Sequence, residues 1–170
     1  VNCDKCLAPG KLRSCVCEIP YFKEIIISCF KCEVCGNKNV DVKGGGGISE
    51  KGTKYTLKVE SAKDLCRDVF KSDTAKVIIP DIGFETSDGA LGSMFTTVEG
   101  VIDKIIENVE NSPFMRGDSS EVSEKFDKFI NQLKELKEGN KKFTLTIDDP
   151  ASNSFIFSLG EKATDNQLTK

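Results

Sequence analysis

Cys3-Asp4-Lys5-Cys6 and Cys32-Glu33-Val34-Cys35 form two Cys-x-x-Cys pairs separated by 25 residues. Each such turn can bring two sulfurs to one ion, and the second pair completes a tetrahedron. The spacing therefore predicts a structural four-cysteine site for one zinc ion, with no open coordination position. Gly36, directly after the second pair, suits a turn that needs positive φ. The first 43 residues hold seven of the eight cysteines, so the choice of ligands has to be argued. Cys29 lies near the end of the apolar run Phe22–Phe30, which reads as a strand, and a strand residue is badly placed for a chelating turn. Cys15 and Cys17 would share one face of another strand, about 6.6 Å apart along it. Zinc–sulfur bonds of about 2.3 Å require sulfurs roughly 3.8 Å apart. Cys15, Cys17, Cys29 and Cys66 are therefore expected to be small, buried apolar side chains. Cys3, Cys6, Cys32 and Cys35 remain as the ligands.

Other chemistry is limited by composition. The chain has no histidine, which removes Ser–His–Asp and Cys–His nucleophile systems and His-carboxylate iron sites. Asp148 and Asp149, beside Asn153, are the most suggestive carboxylates. Asp-Asp-Pro between two strands is first of all turn chemistry; a binding surface and a catalytic pair are the alternatives.

The elements that must position these residues follow from pattern. At 170 residues and 38% hydrophobic composition, a zinc module plus one further domain is the expected partition. Residues 1–43 read as knuckle, strand, turn, strand and knuckle, a zinc ribbon, with Val40 and Val42 alternating after it. Gly44–Gly47 lacks the Gly-Lys-Ser/Thr of a phosphate loop and reads as a connector. Residues 44–159 open with short strands at Tyr55–Val59, Leu65–Lys71 and Ala75–Ile79, then Ile82 and Phe84, the pattern of a sandwich or barrel. From about 97 to 139 the period becomes helical. Val98, Val101, Ile102, Ile105, Ile106 and Val109 form one stripe, with Thr96 or Thr97 as N-cap. Val122, Phe126, Phe129, Ile130, Leu133 and Leu136 form a second, begun by an Asp118/Glu121 cap signature and stopped by Gly139. The two make a helical hairpin whose stripes are expected to face the core. Phe143–Ile147 and Ser154–Leu159 return to strands, and residues 160–170 read as a flexible tail. The fold class is mainly β with a helical hairpin.

Charge and cysteine usage bound the partners. Residues 1–43 are formally +2 and residues 44–170 formally −5. Four thiolates and one Zn²⁺ bring the ribbon close to neutral, which disfavours nucleic acid as a partner, since binding it needs a positive surface. A nucleic-acid-binding ribbon stays the alternative from that class. No apolar stretch approaches the length of a membrane span, and the first residues lack a signal-peptide run. Paired Cys-x-x-Cys spacing in a chain of this kind favours a reducing compartment, cytosolic or nuclear.

The two knuckles occur together with Ile19-Pro20-Tyr21-Phe22-Lys23-Glu24-Ile25-Ile26-Ile27 and Arg67-Asp68-Val69-Phe70-Lys71-Ser72. Ile79-Pro80-Asp81, Phe95-Thr96-Thr97-Val98-Glu99-Gly100 and Asp148-Asp149-Pro150-Ala151-Ser152-Asn153-Ser154 follow in order. In these motifs the chain resembles one module of the ZPR-type zinc-finger family, and Pro113–Ser120 is more similar to its second, C-terminal module. The resemblance implies a zinc ribbon joined to a double-stranded β-helix, a jelly-roll-like domain. It implies a non-enzymatic scaffold or chaperone for translation elongation factor one-alpha that moves between cytoplasm and nucleus. Receptor tyrosine kinase tails are a further implied partner. Ser152 stands where family members often have Gly. An elongation factor that handles tRNA must carry basic surface, so the negative excess of residues 44–170 is the expected contact. Glu99, Asp148 and Asp149, at element boundaries, are the candidate partner-binding residues.

Overall fold

The computed structural model describes residues 1–20, 23–47, 49–112, 120–158 and 165–170; for Ser120 and Glu121 it describes the backbone only. The chain begins with a knuckle, then β1 (Lys11–Glu18), β2 (Glu24–Lys31), the second knuckle and β3 (Lys38–Gly44). These three strands form one antiparallel sheet in the order β1-β2-β3. The pairing of β1 with β2 is unbroken from Lys11↔Lys31 to Glu18↔Glu24, which sets both knuckles at the same end of the sheet.

The β domain follows with β4 (Thr53–Val59), a short helix α1 (Ala62–Leu65), β5 (Asp68–Lys71), β6 (Lys76–Ile79), β7 (Phe84–Glu85) and β8 (Met94–Thr97). Next come α2 (Val98–Glu110), α3 (Ser120–Lys137), β9 (Phe143–Asp149), β10 (Phe155–Ile156) and β11 (Leu168–Thr169). Two antiparallel sheets result, β11-β4-β9-β6-β7 and β10-β5-β8. Their inward residues share a single core, including Leu57, Val69, Phe70, Val77, Leu145, Ile147 and Ile156. The α2 stripe enters it completely: Val98, Val101, Ile102, Ile105, Ile106 and Val109 are all buried. Thr97 caps this helix, its hydroxyl accepting from the Gly100 N–H at 3.2 Å. The second stripe is buried at Ile130, Leu133 and Leu136, half-buried at Phe126 and Phe129, and exposed at Val122. Gly139, at φ 73°, ends α3 as expected. Asp118, the expected cap, lies outside the described residues. No described helix is long and apolar enough to cross a membrane.

The ribbon sits on the β domain by the far end of its sheet. Ile25 is 2% exposed within the main core, and Cys17, Ile19, Ile27 and Val42 pack against it. Lys23 ties the joint from the polar side. Its ammonium donates to the Gly47 and Ser152 carbonyls at 3.3 Å each, to Ser49 Oγ at 3.4 Å and to Asn153 Oδ1 at 3.0 Å.

Three expectations change here. Leu65 ends α1 instead of opening a strand. Asp64 accepts from the backbone N–H groups of Glu60 and Ser61, capping that turn before β5 begins. Cys15 and Cys66 are exposed and Cys17 and Cys29 only half-buried; for Cys15 the reason is that all of β1 except Cys17 is exposed. Residues 165–170 are no free tail. Leu168 and Thr169 pair with Leu57 and Thr56, and the segment is anchored through Asp165. Two paired residues are too few to show as periodicity, and the anchor is polar.

Candidate metal centre and its supporting network

Both knuckles are built the same way. In the first, the Leu7 N–H returns to the Cys3 carbonyl at 2.9 Å; in the second, the Gly36 N–H returns to the Cys32 carbonyl at 3.1 Å. Each chain then leaves through a left-handed residue, Leu7 at φ 59° and Gly36 at φ 72°. The turns bring the sulfurs of Cys3, Cys6, Cys32 and Cys35 within 4.8 Å of one another. The cross-knuckle pairs Cys3–Cys35 and Cys6–Cys32 are each 3.5 Å apart. A tetrahedron of zinc–thiolate bonds needs roughly 3.8 Å between sulfurs, so the four side chains fit one zinc ion.

Cys3 and Cys32 have the donors a thiolate requires, whereas against the Ala8 N–H the neighbouring sulfurs and burial push the Cys6 thiol up to about 12. The Lys5 N–H reaches Cys3 Sγ at 3.4 Å and the Asn37 side-chain amide at 3.6 Å. The Cys6 N–H, against the opposing effect of burial and with help from Lys5, holds the Cys3 thiol down at about 6. Cys32 is lowered in the same way, chiefly by the Cys35 N–H. Four sulfurs this close repel one another once deprotonated, and a dication among them removes that repulsion. Protein supplies all four corners of the site, so a zinc ion there would hold the ribbon together and leave no position for substrate.

Cys15 and Cys17 depart from the sequence argument. Their sulfurs lie 3.9 Å apart, because side chains on one strand face can lean together although their Cα atoms cannot. They still form no cluster with a third described cysteine.

Asp149 is not a surface group. It is 0% exposed. Oδ2 accepts from Ser154 Oγ at 2.6 Å, Ser72 Oγ at 2.8 Å and the Asn153 N–H at 2.9 Å. Oδ1 accepts from Thr74 Oγ1 at 2.8 Å and the Ala151 N–H at 2.9 Å. The carboxylate thus locks the β9–β10 turn to the β5–β6 turn, which corrects its assignment as a partner-binding residue. Ser152 holds φ 57° inside that turn, so the left-handed backbone survives although the residue is not glycine. Burial alone would raise the Asp149 carboxyl; hydrogen bonds from Ser154, Thr74 and Ser72 outweigh it and hold the group below the usual carboxylate range. A lowered folded value gives stability that is present above the unfolded value of about 3.9 and lost as pH falls through the folded one. Asp149→Asn is expected to cost roughly 3 kcal/mol at neutral pH, because one of its oxygens becomes a donor facing donors. Denaturant titrations at neutral and acid pH check it: the difference between variant and parent should shrink as the medium is acidified.

The other two candidates are reachable but not bare. Asp148 lies between Lys54 and Lys76 of the neighbouring strands, with Lys54 Nζ 3.8 Å away. Glu99, in the first turn of α2, faces Lys137 at 3.9 Å. The negative excess of the β domain is therefore locally answered at both positions.

The sequence reading missed the buried cations. Arg67 is 2% exposed. It binds Asp64 at 2.9 Å, Asp165 at 2.5 Å, Gln167 Oε1 at 3.1 Å and the Phe157 carbonyl at 3.4 Å. Lys71 is fully buried, donating to the Ser72 and Gly92 carbonyls at 3.0 Å each, and burial lowers its pKa. Arg67 and Lys71 flank Val69 and Phe70, but Asp68 beside them is exposed, so the local pattern did not mark the buried cations.

A four-thiolate ribbon whose sheet shares a core with a two-sheet antiparallel β domain defines a zinc-finger protein of the ribbon-plus-jelly-roll class. Residues 1–50 match the ZPR1 zinc-finger domain and residues 63–170 the ZPR1 jelly-roll domain; the chain belongs to the ZPR1 zinc-finger family. It is 41% identical over 157 residues to the human zinc finger protein ZPR1, covering 91% of this chain and 34% of that protein. It is 38% identical over 158 residues to the zinc finger chaperone zpr1 of Schizosaccharomyces pombe, again covering 91% and 34%. An uncharacterised ZPR1-like protein of Methanocaldococcus jannaschii is 31% identical over 163 residues, 94% of this chain and 81% of that protein. The chain spans about a third of the length of the human and yeast relatives.

Proposed function

We propose that this chain is a non-enzymatic, zinc-stabilised protein-binding module that acts as a chaperone or scaffold, with translation elongation factor one-alpha as its client. The observation that carries the reading is how the charged groups are used. Asp149, Arg67, Asp64 and Lys71 are buried and hydrogen-bonded to protein, so they hold joints instead of facing a substrate. The zinc site is closed. The yeast relative's name, a zinc finger chaperone, supports the same class; the client comes from the family resemblance. Receptor tyrosine kinase tails as further partners, and residence in cytoplasm and nucleus, belong to the same proposal.

Glu99 and Asp148 remain the candidate contacts on the β domain; Asp149 does not. Calorimetric titration of the zinc-loaded chain into purified elongation factor, nucleotide-free and with GDP or GTP, tests the reading. Saturable binding in at least one state is expected, and stopped-flow mixing at two ionic strengths should show association slowed by Glu99→Lys or Asp148→Lys and less sensitive to salt. No binding in any state would remove the client.

A further inference from the structure

β1 is the most exposed strand of the ribbon. Of its eight residues only Cys17 is even half-buried. Its one neighbour is β2, and among the described residues nothing pairs with its other edge. Edges of this length are normally blunted by a bulge, a proline or a charge pointing inward. Here the register is continuous and the segment Lys11–Glu18 contains no proline; its cations Lys11 and Arg13, on the face of Ile25, disfavour a like-charged strand but not an acidic one. A row of backbone N–H and C=O groups is left as a template.

The two faces of β1 carry different chemistry. Lys11, Arg13, Cys15 and Cys17 share the face of Ile25, while Leu12, Ser14, Val16 and Glu18 point the other way. On the outer face Leu12 is 50% and Val16 62% exposed, and Ile26 lies directly across from Val16. On the inner face Lys11 pairs with Lys31, which pairs with Lys38, so three cations stand in a row beside Arg13. Glu33 answers Lys11 at 2.7 Å. Among the described residues Arg13, Lys31 and Lys38 make no ion pair, although Lys31 and Arg13, after Lys11, help to lower the Glu33 carboxyl. Lys31 and Lys38 lie behind β1 on the neighbouring strands, so the cations on the open edge itself are Arg13 and Lys11, the latter shared with Glu33.

We propose that the open edge of β1 receives an extended, acidic segment of a partner protein by strand addition. The segment carries Asp or Glu at alternate positions opposite Lys11 and Arg13, and branched apolar side chains at the positions between, beside Leu12 and Val16. Main-chain hydrogen bonds supply affinity, and the alternation supplies selectivity. A second copy of the chain fits less well. A two-fold antiparallel pair must place inner-face residues opposite inner-face residues, so Lys11 and Arg13 would meet only Cys15, Cys17 or each other. Glu18 lies on the wrong face to answer them.

The proposal rests on the reading of the chain as a protein-binding module, and its test contains no elongation factor, so the two can fail separately. Fluorescence anisotropy would follow a labelled peptide of alternating aspartate and valine, matched to β1 in length, binding to the zinc-loaded chain. Saturable, salt-sensitive binding is expected, weakened roughly fivefold by Arg13→Glu or Val16→Lys, since a cross-strand pair contributes about 1 kcal/mol. Both side chains are exposed, and zinc content and circular dichroism would confirm that the variants fold. Of two peptides, N-methylated at every aspartate or at every valine, one should bind and the other should not, because only one edge of the peptide faces β1. Four outcomes would overturn the proposal: equal binding of a lysine–valine peptide, equal behaviour of the two N-methyl forms, binding of single-stranded RNA that excludes the acidic peptide and ignores Val16→Lys, or no peptide binding with concentration-dependent dimerisation in the ultracentrifuge.

Discussion

Cys32→Ser releases the zinc and unfolds the ribbon. Cys32 is fully buried between the two knuckles, its sulfur 3.5 Å from that of Cys6. Apart from the ligands Cys3 and Cys32, the small buried cluster at that end, among the described residues, holds only Phe30, with Ala8 against it. So few apolar groups cannot hold a sheet against chain entropy, and metal binding there is folding free energy. The effect should reach the β domain through Ile25 and Lys23, which would lose their places in the joint. Metal analysis should give one zinc per chain for the parent and near none for the variant, and β-sheet signal should fall with it. Cys15→Ser and Cys17→Ser should keep the metal, because neither sulfur joins the four-sulfur cluster of the knuckles; zinc loss in either would overturn the ligand assignment.

Arg67→Met should cost about 3–5 kcal/mol, a large part of the stability of an ordinary domain. The substitution leaves Asp64 and Asp165 buried without their cation and frees the segment that carries β11. Burial works against the Arg67 charge, but Asp165 and Asp64 outweigh it and raise its pKa; Arg67 in turn lowers Asp165. The sign for pH follows from the carboxylates. Their lowered folded values stabilise the chain above about pH 4 and cease to do so as the pH falls below it, so parent and variant should converge in acid. Adding Asp64→Asn and Asp165→Asn should recover part of the loss, since the uncompensated charges are then gone. Equilibrium denaturation of the three proteins decides this, and a single-variant cost under about 1 kcal/mol would show that the ion triad is incidental.

These networks also show which parts of the molecule were legible beforehand. The knuckles were, because metal geometry fixes cysteine spacing. So were α2 and most of α3, where a single core face imposes a 3.6-residue period over many residues. β4 and β9 alternated for the same reason on a sheet. Short elements carried no such signal: β8 and β11 have four and two residues, and α1 was hidden because its cap is a buried carboxylate. Asp149 does the turn chemistry expected of it first; only its place among the partner contacts was wrong, because a turn carboxylate looks alike in sequence whether it faces solvent or five donors. Cys15 and Cys66 were expected inside because thiols usually are; nothing in the local sequence showed that β1 projects from the core. The partner surface was the least legible part, since Lys54 and Lys137 answer Asp148 and Glu99 only after folding.

The refolding yield of denatured elongation factor one-alpha, in the presence of increasing amounts of the zinc-loaded chain, tests the central claim most directly. A non-enzymatic chaperone module should raise that yield up to a stoichiometric plateau, without consuming nucleotide itself, and chelator-treated protein should not. An unchanged yield, with the chain shown to be folded and carrying one zinc, would contradict the account.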